Sequence, residues 1–282
     1  MFITKKRITV LAIVVLTILV TSCSSEETAG MLETNEKDGA QLVYIPEGEF
    51  LMGSSDEQIN RVLNSSLCQG MNNCQRSWFD HEQPIHTVNL DAYWIYKTEV
   101  TNSQYRKCIQ NGGCVGDLEN YPEDNYPAVF IFWDEADSYC DWAGGRLPTE
   151  AEWEKAARGT DGRTFPWGEE IPTWDNNYAN FGEIVGRLSS VGSYPKGESP
   201  YGVLDMAGNA WEWVADWYDE NYYVASPSDN PTGPSTGDEH IIRGGDWINN
   251  WRIVRTSTRG SIDENMSQIM GSRLGFRCVI LP

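Results

Sequence analysis

The stretch Gly145-Arg146-Leu147-Pro148-Thr149-Glu150-Ala151-Glu152-Trp153-Glu154-Lys155-Ala156-Ala157-Arg158 says most about how this chain folds. Thr149 stands where the N-cap of a helix belongs, and Glu152 follows three residues later, which is the reciprocal pairing of a capping box. Glu150 lies in the first turn, where the helix dipole favours a negative charge. The stretch therefore predicts a helix that begins after Thr149 and ends at Gly159.

Six further segments carry recognisable motifs. They read Pro46-Glu47-Gly48-Glu49-Phe50-Leu51-Met52-Gly53, Glu82-Gln83-Pro84-Ile85-His86, Lys97-Thr98-Glu99-Val100-Thr101-Asn102, Asp205-Met206-Ala207-Gly208-Asn209-Ala210-Trp211-Glu212-Trp213, Arg243-Gly244-Gly245-Asp246-Trp247 and Gly275-Phe276-Arg277-Cys278. With the helix, they resemble in order the motifs of the formylglycine-generating enzyme (sulfatase-modifying factor) family, over residues 41–282. The resemblance implies that family's fold, which is α+β, low in regular secondary structure, related to C-type lectin-like domains, and stabilised by disulfides and calcium.

The first 22 residues have the features of a secretion signal, with Lys5, Lys6 and Arg7 before an apolar stretch over residues 8–20. Residues 20–23, Val-Thr-Ser-Cys, resemble a bacterial lipobox. That resemblance implies that Cys23 becomes the lipidated first residue of an envelope lipoprotein, anchored in the outer membrane and facing the periplasm or the cell surface. An ordinary cleaved signal with an incidental cysteine is the alternative.

Residues 24–40 are rich in Ser, Glu, Thr, Gly and Asn and nearly free of large apolar side chains. Such a composition favours disorder, so we expect residues 23–40 to be the lipidated cysteine and a flexible tether. Residues 41–282 are enough to bury a sizeable core and show no second break in composition, which predicts a single domain.

The formal net charge is −20 at pH 7. Nucleic acid is therefore not expected as a partner, because the chain has no basic face to displace counterions from phosphates. The surplus of carboxylates is compatible with bound calcium, although an acidic surface by itself indicates only good solvation.

Seven cysteines are present, and Cys23 leaves six, an even number in an exported protein, which is typical of disulfides. The equal short spacings of Cys68/Cys74 and Cys108/Cys114 favour two local bridges. The family resemblance implies the remaining bridge, between Cys140 and Cys278. The alternative is that one pair is a free redox or metal-binding dithiol.

Alternating apolar residues predict strands over residues 42–45, 86–90 and 92–96. Capping residues predict helices that begin at Thr101 or Asn102 and at Asp134. Residues 160–200 show no sustained period but contain several large aromatics, which predicts a long ordered coil. Because such a coil lacks backbone ladders, bound ions are candidates to satisfy its polar groups.

Asp205 and Glu212 flank a Gly-Asn turn, so their carboxylates and the intervening carbonyls suit calcium. In the resembling family this segment holds calcium, and a second ion lies in the preceding coil. The first set maps onto Asp205, Gly208, Ala210 and Glu212, and the second onto Asn180, Phe181, Glu183 and Val185. The alternative is that Asp205 and Glu212 cap turns or pair with Arg243 or Arg273.

In active members of the family, the stretch after the Gly-Gly pair holds two cysteines that bind copper(I) as soft thiolates and oxidise a substrate cysteine. In this chain Asn249 stands near the first position, and the second falls among residues 251–253. No cysteine lies between Cys140 and Cys278. The sequence therefore argues against a copper site and against the founding activity.

What the segment retains is aromatic surface, guanidinium groups and amides. The residues are Trp247, Asn249, Asn250, Trp251, Arg252, Arg255 and Arg259. Because Trp and Arg carry much of the energy at binding sites, this composition predicts a pocket for a protein, peptide or glycan. The alternative is that the tryptophans belong to the core and the arginines pair with carboxylates.

Two hypotheses of function follow. The first is a lipoprotein that uses this domain as a binding scaffold without cysteine oxidase chemistry. The second is a divergent oxidoreductase that modifies a periplasmic protein or thiol with a metal held elsewhere. A three-histidine iron site is poorly supported, because His81, His86 and His240 are the only histidines.

Overall fold

The structure, a computed structural model, describes residues 28–65, 68, 74–116, 122–263 and 273–282. The predicted signal peptide over residues 1–22 and the lipidation site Cys23 lie outside the described residues. Within the described ranges, no helix is long and apolar enough to cross a membrane.

Helices and strands are short and mixed along the chain. The strands are β1 (Leu32–Thr34), β2 (Gln41–Ile45), β3 (Gly48–Met52), β4 (His86–Leu90), β5 (Tyr93–Tyr96), β6 (Trp211–Trp217), β7 (His240–Arg243), β8 (Gly260–Ile262), β9 (Leu274–Phe276) and β10 (Val279–Ile280). The helices are α1 (Asp56–Leu63), α2 (Asn102–Gln110), α3 (Trp133–Trp142), α4 (Glu150–Arg158) and α5 (Tyr222–Ala225), with 3-10 turns at Arg76–Glu82 and Pro195–Gly197. This content confirms the predicted α+β class.

The described strands form three sheets. One four-stranded sheet has the order β1-β2-β5-β10, another has the order β8-β7-β6-β9, and β3 pairs with β4. In the first sheet Ile95 lies opposite both Val43 and Val279. All three side chains are fully buried in one hydrophobic cluster, which fixes the register of this sheet.

Helix α4 begins as predicted. Thr149 Oγ1 accepts a hydrogen bond from the N–H of Glu152 at 3.2 Å, and Glu152 Oε2 accepts one from the N–H of Thr149 at 2.8 Å. Arg146 donates to both carboxylate oxygens of Glu152 at 2.6 Å. Every residue of α4 is buried, and the helix contacts β3, β4, β6 and β7, so it occupies the centre of the fold.

Of the other two predicted helix starts, one agrees with the structure and the other differs by one residue. Helix α2 follows Thr101, one of the two predicted starts, and the structure adds a complete capping box between Thr101 and Gln104. Helix α3 already begins at Trp133, before the predicted start at Asp134. Its first turn is held by Glu135, whose Oε2 accepts the N–H of Phe132 at 2.9 Å, so a carboxylate on the third helical residue defines this start.

The structure corrects the predicted flexible tether in residues 28–40. Strand β1 pairs antiparallel with β2, and both Asn35 and Asp38 are buried. Asp38 Oδ2 accepts hydrogen bonds from the hydroxyls of Tyr96 and Tyr139, each at 2.6 Å. Of its apolar side chains, Ala40 is buried and Met31 is partly buried against the core, and polar contacts supply the other interactions. This is why its composition pointed to a spacer. The folded domain therefore begins before residue 41.

Residues 160–200 form the irregular coil that the sequence predicts, with only the 3-10 turn Pro195–Gly197 inside it. Its aromatic side chains are packed. Trp167 stacks between Phe165 and Tyr178, with ring centroids 5.1 and 4.8 Å apart. Ring stacking thus takes the place of backbone ladders in ordering part of this coil.

The structure confirms all three predicted disulfides. They are Cys68–Cys74, Cys108–Cys114 and Cys140–Cys278. The third joins residues 138 positions apart and connects α3 to the turn between β9 and β10. Closing a loop of that size removes the most entropy from the unfolded chain in the chain-entropy model.

We expect Asp38→Ala to lower the free energy of unfolding by about 2 kcal/mol or more, because two buried tyrosine hydroxyls lose their shared acceptor. Urea unfolding followed by circular dichroism measures this. The matched control is Glu36→Ala, two residues away on the exposed surface, which should change stability by less than about 0.5 kcal/mol. A loss below about 0.5 kcal/mol for Asp38→Ala, no larger than that of the control, would show that the Asp38 contacts do not stabilise the fold.

Candidate functional site

The segment after β7 is positioned by a double-glycine turn. Gly244 has φ +94° and Gly245 has φ +76°, conformations that glycine adopts without strain. A Cβ on Gly245 would lie 3.0 Å from Val254 Cγ1, so the segment folds back tightly onto this turn. The motif thus turns residues 246–259 back across the domain.

Arg243 fastens this returning segment to helix α4. Its Nη2 donates to Glu154 Oε2 and to the carbonyl of Thr256, both at 2.6 Å, and its Nη1 donates to Glu150 Oε1 at 3.2 Å. The guanidinium is fully buried. Arg243 is therefore a structural residue of the core.

Two of the predicted ligand-binding arginines are buried in ion pairs. Arg255 donates to both oxygens of Glu82, at 2.8 and 2.5 Å, and Arg259 donates to both oxygens of Glu150, at 2.7 and 3.1 Å. Burial alone would raise the pKa of Glu82, but Arg255 outweighs it and holds that pKa below the usual range. These contacts agree with the alternative interpretation, in which arginines pair with carboxylates.

Trp251 and the two asparagines also lie within the folded segment. Trp251 is buried in a cluster with Phe165 and Phe181. Asn249 Oδ1 accepts the N–H of Asp246 at 2.9 Å. The Oδ1 of Asn250 accepts hydrogen bonds from the N–H and the Nε of Arg252, both at 3.1 Å. The amides therefore shape the turn.

Four of the predicted residues line cavities: Trp247 lines one, and Arg252, Arg255 and Arg259 line another. The Trp247 cavity has a volume of about 260 Å³ and is lined by Asn102, Glu123, Tyr126, Pro127, Arg187, Leu188 and Trp247. The Arg252 cavity has a volume of about 90 Å³ and is lined by Trp78, Phe79, His81, Glu82, Arg252, Ile253, Arg255, Thr258 and Arg259. The segment therefore presents two separate openings.

Asn102, which lines the Trp247 cavity, has a buried amide with an unused acceptor. Asn102 is 2% exposed, and its Nδ2 donates to the carbonyl of Glu123 at 3.0 Å. Its Oδ1 is buried and has no hydrogen-bond partner among the described residues. The backbone of Trp247 is held in place, since its N–H donates to the Asn209 carbonyl at 3.1 Å and its carbonyl accepts the N–H of Glu183 at 2.7 Å.

The Arg252 cavity is smaller and its guanidinium is already in contact with protein groups. The guanidinium carbon lies 4.7 Å from the ring centroid of Trp78, and Nη1 donates to Cys74 Sγ at 3.0 Å. Burial lowers the pKa of Arg252, and the positive charge of Arg255 adds to this effect. This cavity is electropositive but offers little volume.

In the first predicted calcium set, Glu212 is already engaged in an ion pair. Arg277 donates to both oxygens of Glu212 at 2.6 Å, and Trp153 Nε1 donates to one of them at 2.8 Å. Asp205 Oδ2 accepts the N–H of Gly192 at 2.6 Å. Glu212 therefore pairs with Arg277, and neither Arg243 nor Arg273 takes that place. In this arrangement Glu212 fits calcium poorly, and so does the set Asp205, Gly208, Ala210 and Glu212.

The second predicted calcium set contains one group that fits a cation. Asn180 is 1% exposed, and its Oδ1 is buried without a hydrogen-bond partner in the described part of the chain. Its Nδ2 donates to the carbonyl of Arg187 at 2.9 Å and to Asn209 Oδ1 at 3.2 Å. Glu183 and Val185 are exposed, and the Phe181 carbonyl accepts the N–H of Ile184. A cation that prefers oxygen ligands would satisfy the unpartnered Oδ1 of Asn180.

Sequence reasoning missed Glu99, which lies beside both predicted sets. Its Oε1 accepts a hydrogen bond from Asn209 Nδ2 at 2.8 Å. Burial raises the pKa of Glu99 well above its usual range, and the carboxylates of Asp205 and Glu212 add to this effect. The one available signal was an acidic residue inside the motif at residues 97–102. Asn102, Glu123, Tyr126 and Arg187 were missed too, since only the fold brings them to Trp247.

Comparison with known proteins places the chain in a family. The profile described as "Sulfatase-modifying factor enzyme 1-like domain" matches residues 28–281, and the chain belongs to that family. The match begins before residue 41, in agreement with the ordered segment around Asp38.

Three proteins illustrate the relationship. The formylglycine-generating enzyme of Streptomyces coelicolor is 32% identical over 264 residues, covering 71% of this chain and 81% of that protein. The hercynine oxygenase of Mycolicibacterium smegmatis is 31% identical over 223 residues, covering 64% and 51%. The structure of PvdO from Pseudomonas aeruginosa has a TM-score of 0.72 and 26% identity, covering 91% of this chain and all of that one.

We expect Arg255→Ala and Arg252→Ala to have very different effects on stability. The first leaves Glu82 as an unpaired buried charge and should lower the free energy of unfolding by about 3–5 kcal/mol. The second removes a cation–π contact on a half-buried surface and should cost about 1 kcal/mol or less. Urea denaturation at pH 7 measures both. Similar losses for the two arginines would contradict the assignment of Arg255 to the core.

Proposed function

We propose that this chain is a cell-envelope lipoprotein whose sulfatase-modifying-factor-like domain binds a protein, peptide or glycan and does not oxidise cysteine. This proposal rests on the absence of the two cysteines that active members of the family have after the Gly-Gly pair. Asn249 stands near the first thiol position and hydrogen-bonds within its own turn to Asp246. Because no cysteine lies between Cys140 and Cys278, the segment offers no soft thiolate for copper(I).

The remaining cysteines support the same proposal. All six cysteines after Cys23 are paired in disulfides, so none of them offers a thiolate to a metal or to a substrate. A copper cofactor is therefore not part of this proposal.

The binding role is supported by the two cavities that residues of this segment line. Trp247 lines one and Arg252 lines the other, so a single returning loop presents an aromatic face and a guanidinium. Such side chains carry much of the energy where ligands bind. Arg255 and Arg259 line the same cavity as Arg252 but are held in ion pairs. Asn249, Asn250 and Trp251 support the loop through hydrogen bonds and packing.

The proposed location follows from the N-terminal sequence. A lipid on Cys23 would be the membrane partner, holding the domain at the outer membrane toward the periplasm or the cell surface. The ordered segment from residue 28 leaves only a short spacer after Cys23, so the domain would sit close to the bilayer. The charge of −20 supports a non-nucleic-acid partner.

The decisive experiment for this function is an oxidase assay on the full-length chain. Purified protein is incubated with copper(I), oxygen and a cysteine-containing peptide, and aldehyde is detected by mass spectrometry. We expect no aldehyde, while the Streptomyces coelicolor enzyme, run in parallel, should form it. Alkylation without reduction should label none of the six cysteines after Cys23. Aldehyde formation by this chain would instead support the divergent oxidoreductase.

Calcium belongs to the proposal as a structural ion. Asn180 fits it because a buried carbonyl oxygen without a donor is a ligand that calcium accepts. In the predicted set, the carbonyls of Phe181 and Val185 and the carboxylate of Glu183 would supply the further ligands. The ion would satisfy hydrogen-bond acceptors in the coil of residues 160–200, which lacks the regular backbone hydrogen bonds of a helix or sheet.

We expect calcium to raise the melting temperature by roughly 5–10 °C when its concentration exceeds Kd about 100-fold. Asn180→Ala should abolish that increase, because the buried ligand oxygen is removed. Asn60→Ala, on the exposed side of α1, is the control and should keep it. Thermal unfolding with EDTA and with calcium measures this, and an unchanged melting temperature of the parent chain would refute the structural ion.

A further inference from the structure

We infer that the Arg252 cavity binds the carboxylate of an acidic side chain in a peptide ligand. This inference rests on the proposed binding function and names the chemical group that the domain recognises. Three features of the cavity support it. They are a guanidinium without a carboxylate partner, a positive charge that the lining does not compensate, and a volume that admits only a small group.

Arg252 differs from nearly all other arginines of this protein. Among the described arginines, each one except Arg187 and Arg252 has a carboxylate oxygen within 4.0 Å of its guanidinium. The chain has 41 acidic residues against 21 lysines and arginines, so carboxylates are abundant. Burial lowers the pKa of Arg252, and the positive charge of Arg255 adds to this effect. A ligand carboxylate would supply the missing anion and stabilise the charged guanidinium.

The guanidinium of Arg252 has one nitrogen left for a ligand. Its Nε donates to Asn250 Oδ1 at 3.1 Å, and its Nη1 donates to Cys74 Sγ at 3.0 Å. Its Nη2 donates to none of the described residues and is not one of the fully buried unpartnered atoms, so solvent reaches it. In Arg255 and Arg259, by contrast, every guanidinium nitrogen already donates to a protein group. Arg252 Nη2 is therefore the nitrogen that can donate to a ligand oxygen.

The lining of the cavity carries a positive charge that no carboxylate compensates. Arg255 is paired with Glu82 and Arg259 with Glu150, both inside the fold, which leaves Arg252. A ligand with one negative charge compensates it. Because Glu82 also lines the cavity, a doubly charged ligand such as a phosphate group would meet stronger repulsion than a carboxylate.

The size of the cavity limits what can enter. Its volume of about 90 Å³ is the space of roughly three water molecules at ~30 Å³ each. Such a space admits a carboxylate and the carbon that carries it, while the rest of the ligand stays outside. The ring centroid of Trp78 lies 4.7 Å from the guanidinium carbon of Arg252, and this tryptophan is 41% exposed. Its indole therefore offers apolar surface to the stem of the ligand.

An acidic side chain fits this opening better than a sugar acid does. Aspartate and glutamate carry the carboxylate on a slim methylene stem, whereas a sugar acid carries it directly on a ring. A ring would be held outside a space of about 90 Å³. The net charge of −20 repels acidic ligands, but salt screens that repulsion beyond about 8 Å at physiological ionic strength. Recognition therefore depends on the contact with Arg252.

The test uses the full-length chain in an uncharged detergent. Saturation-transfer NMR is recorded with two peptides that are acetylated and amidated at their ends. One is Gly-Ala-Glu-Ala-Gly, and the other has Gln in place of Glu, so the pair differs by a single charge. We expect the Glu peptide to bind with half-saturation in the millimolar range and the Gln peptide to bind about tenfold more weakly or not at all. Raising the salt concentration from about 0.05 M to about 0.5 M should weaken the Glu peptide several-fold.

Variants of the protein assign this binding to the cavity. Arg252→Gln should weaken binding of the Glu peptide about tenfold, and Arg252→Lys should restore part of it, because lysine keeps the charge without the planar fork. The matched control is Arg76→Gln, since Arg76 is an exposed arginine paired with Asp56 and lies outside the lining. It should change binding by less than about twofold, because a distant surface charge is screened. Circular dichroism checks that each variant is folded. Binding of the Glu peptide that survives Arg252→Gln would overturn the assignment.

The outcomes separate this inference from the proposed function. Equal binding of the two peptides, silence of both, or binding of galacturonic acid without binding of the Glu peptide overturns the acidic side-chain inference while the binding function stands. Aldehyde formation on a cysteine peptide overturns the binding function itself, whatever the two peptides do.

Discussion

The buried ion pair between Glu212 and Arg277 is the interaction on which the rest of the structure depends. It joins β6 to the turn after β9, and Trp153 brings helix α4 to the same carboxylate. Arg277 also donates to the carbonyls of Tyr96 and Leu204. Because both charges are fully buried, removing one partner would leave the other without compensation. The three sequence motifs at residues 145–158, 205–213 and 275–278 therefore meet at this one ion pair.

Local features of this fold could be predicted because their physics is local. The capping box of α4 needs only Thr149 and Glu152, and the short spacing of Cys108 and Cys114 suffices to suggest their bridge. The order of residues 28–40 could not be read in this way. It depends on Asp38 meeting two tyrosine hydroxyls from distant elements, and composition carries no trace of such a contact.

The same distinction between local and long-range contacts applies to the candidate site. The sequence located the segment after the double glycine and identified its aromatic and cationic composition. It could not tell which arginines are neutralised, because Glu82 lies 173 positions from Arg255 and Glu150 lies 109 positions from Arg259. Packing therefore pairs Arg255 and Arg259 with carboxylates inside the fold, although both still line the cavity that Arg252 lines.

The sheet order β1-β2-β5-β10 has a consequence for how the protein is made. Strands β2 and β5 lie within the first 96 residues, but the edge of β5 that β10 covers stays open until residues 279–280 join the sheet. At about 5–20 residues per second, β10 is synthesised roughly 10–40 s after β5. An open strand edge is a template for pairing with another chain. During that interval, the nascent protein must be kept apart from its own copies.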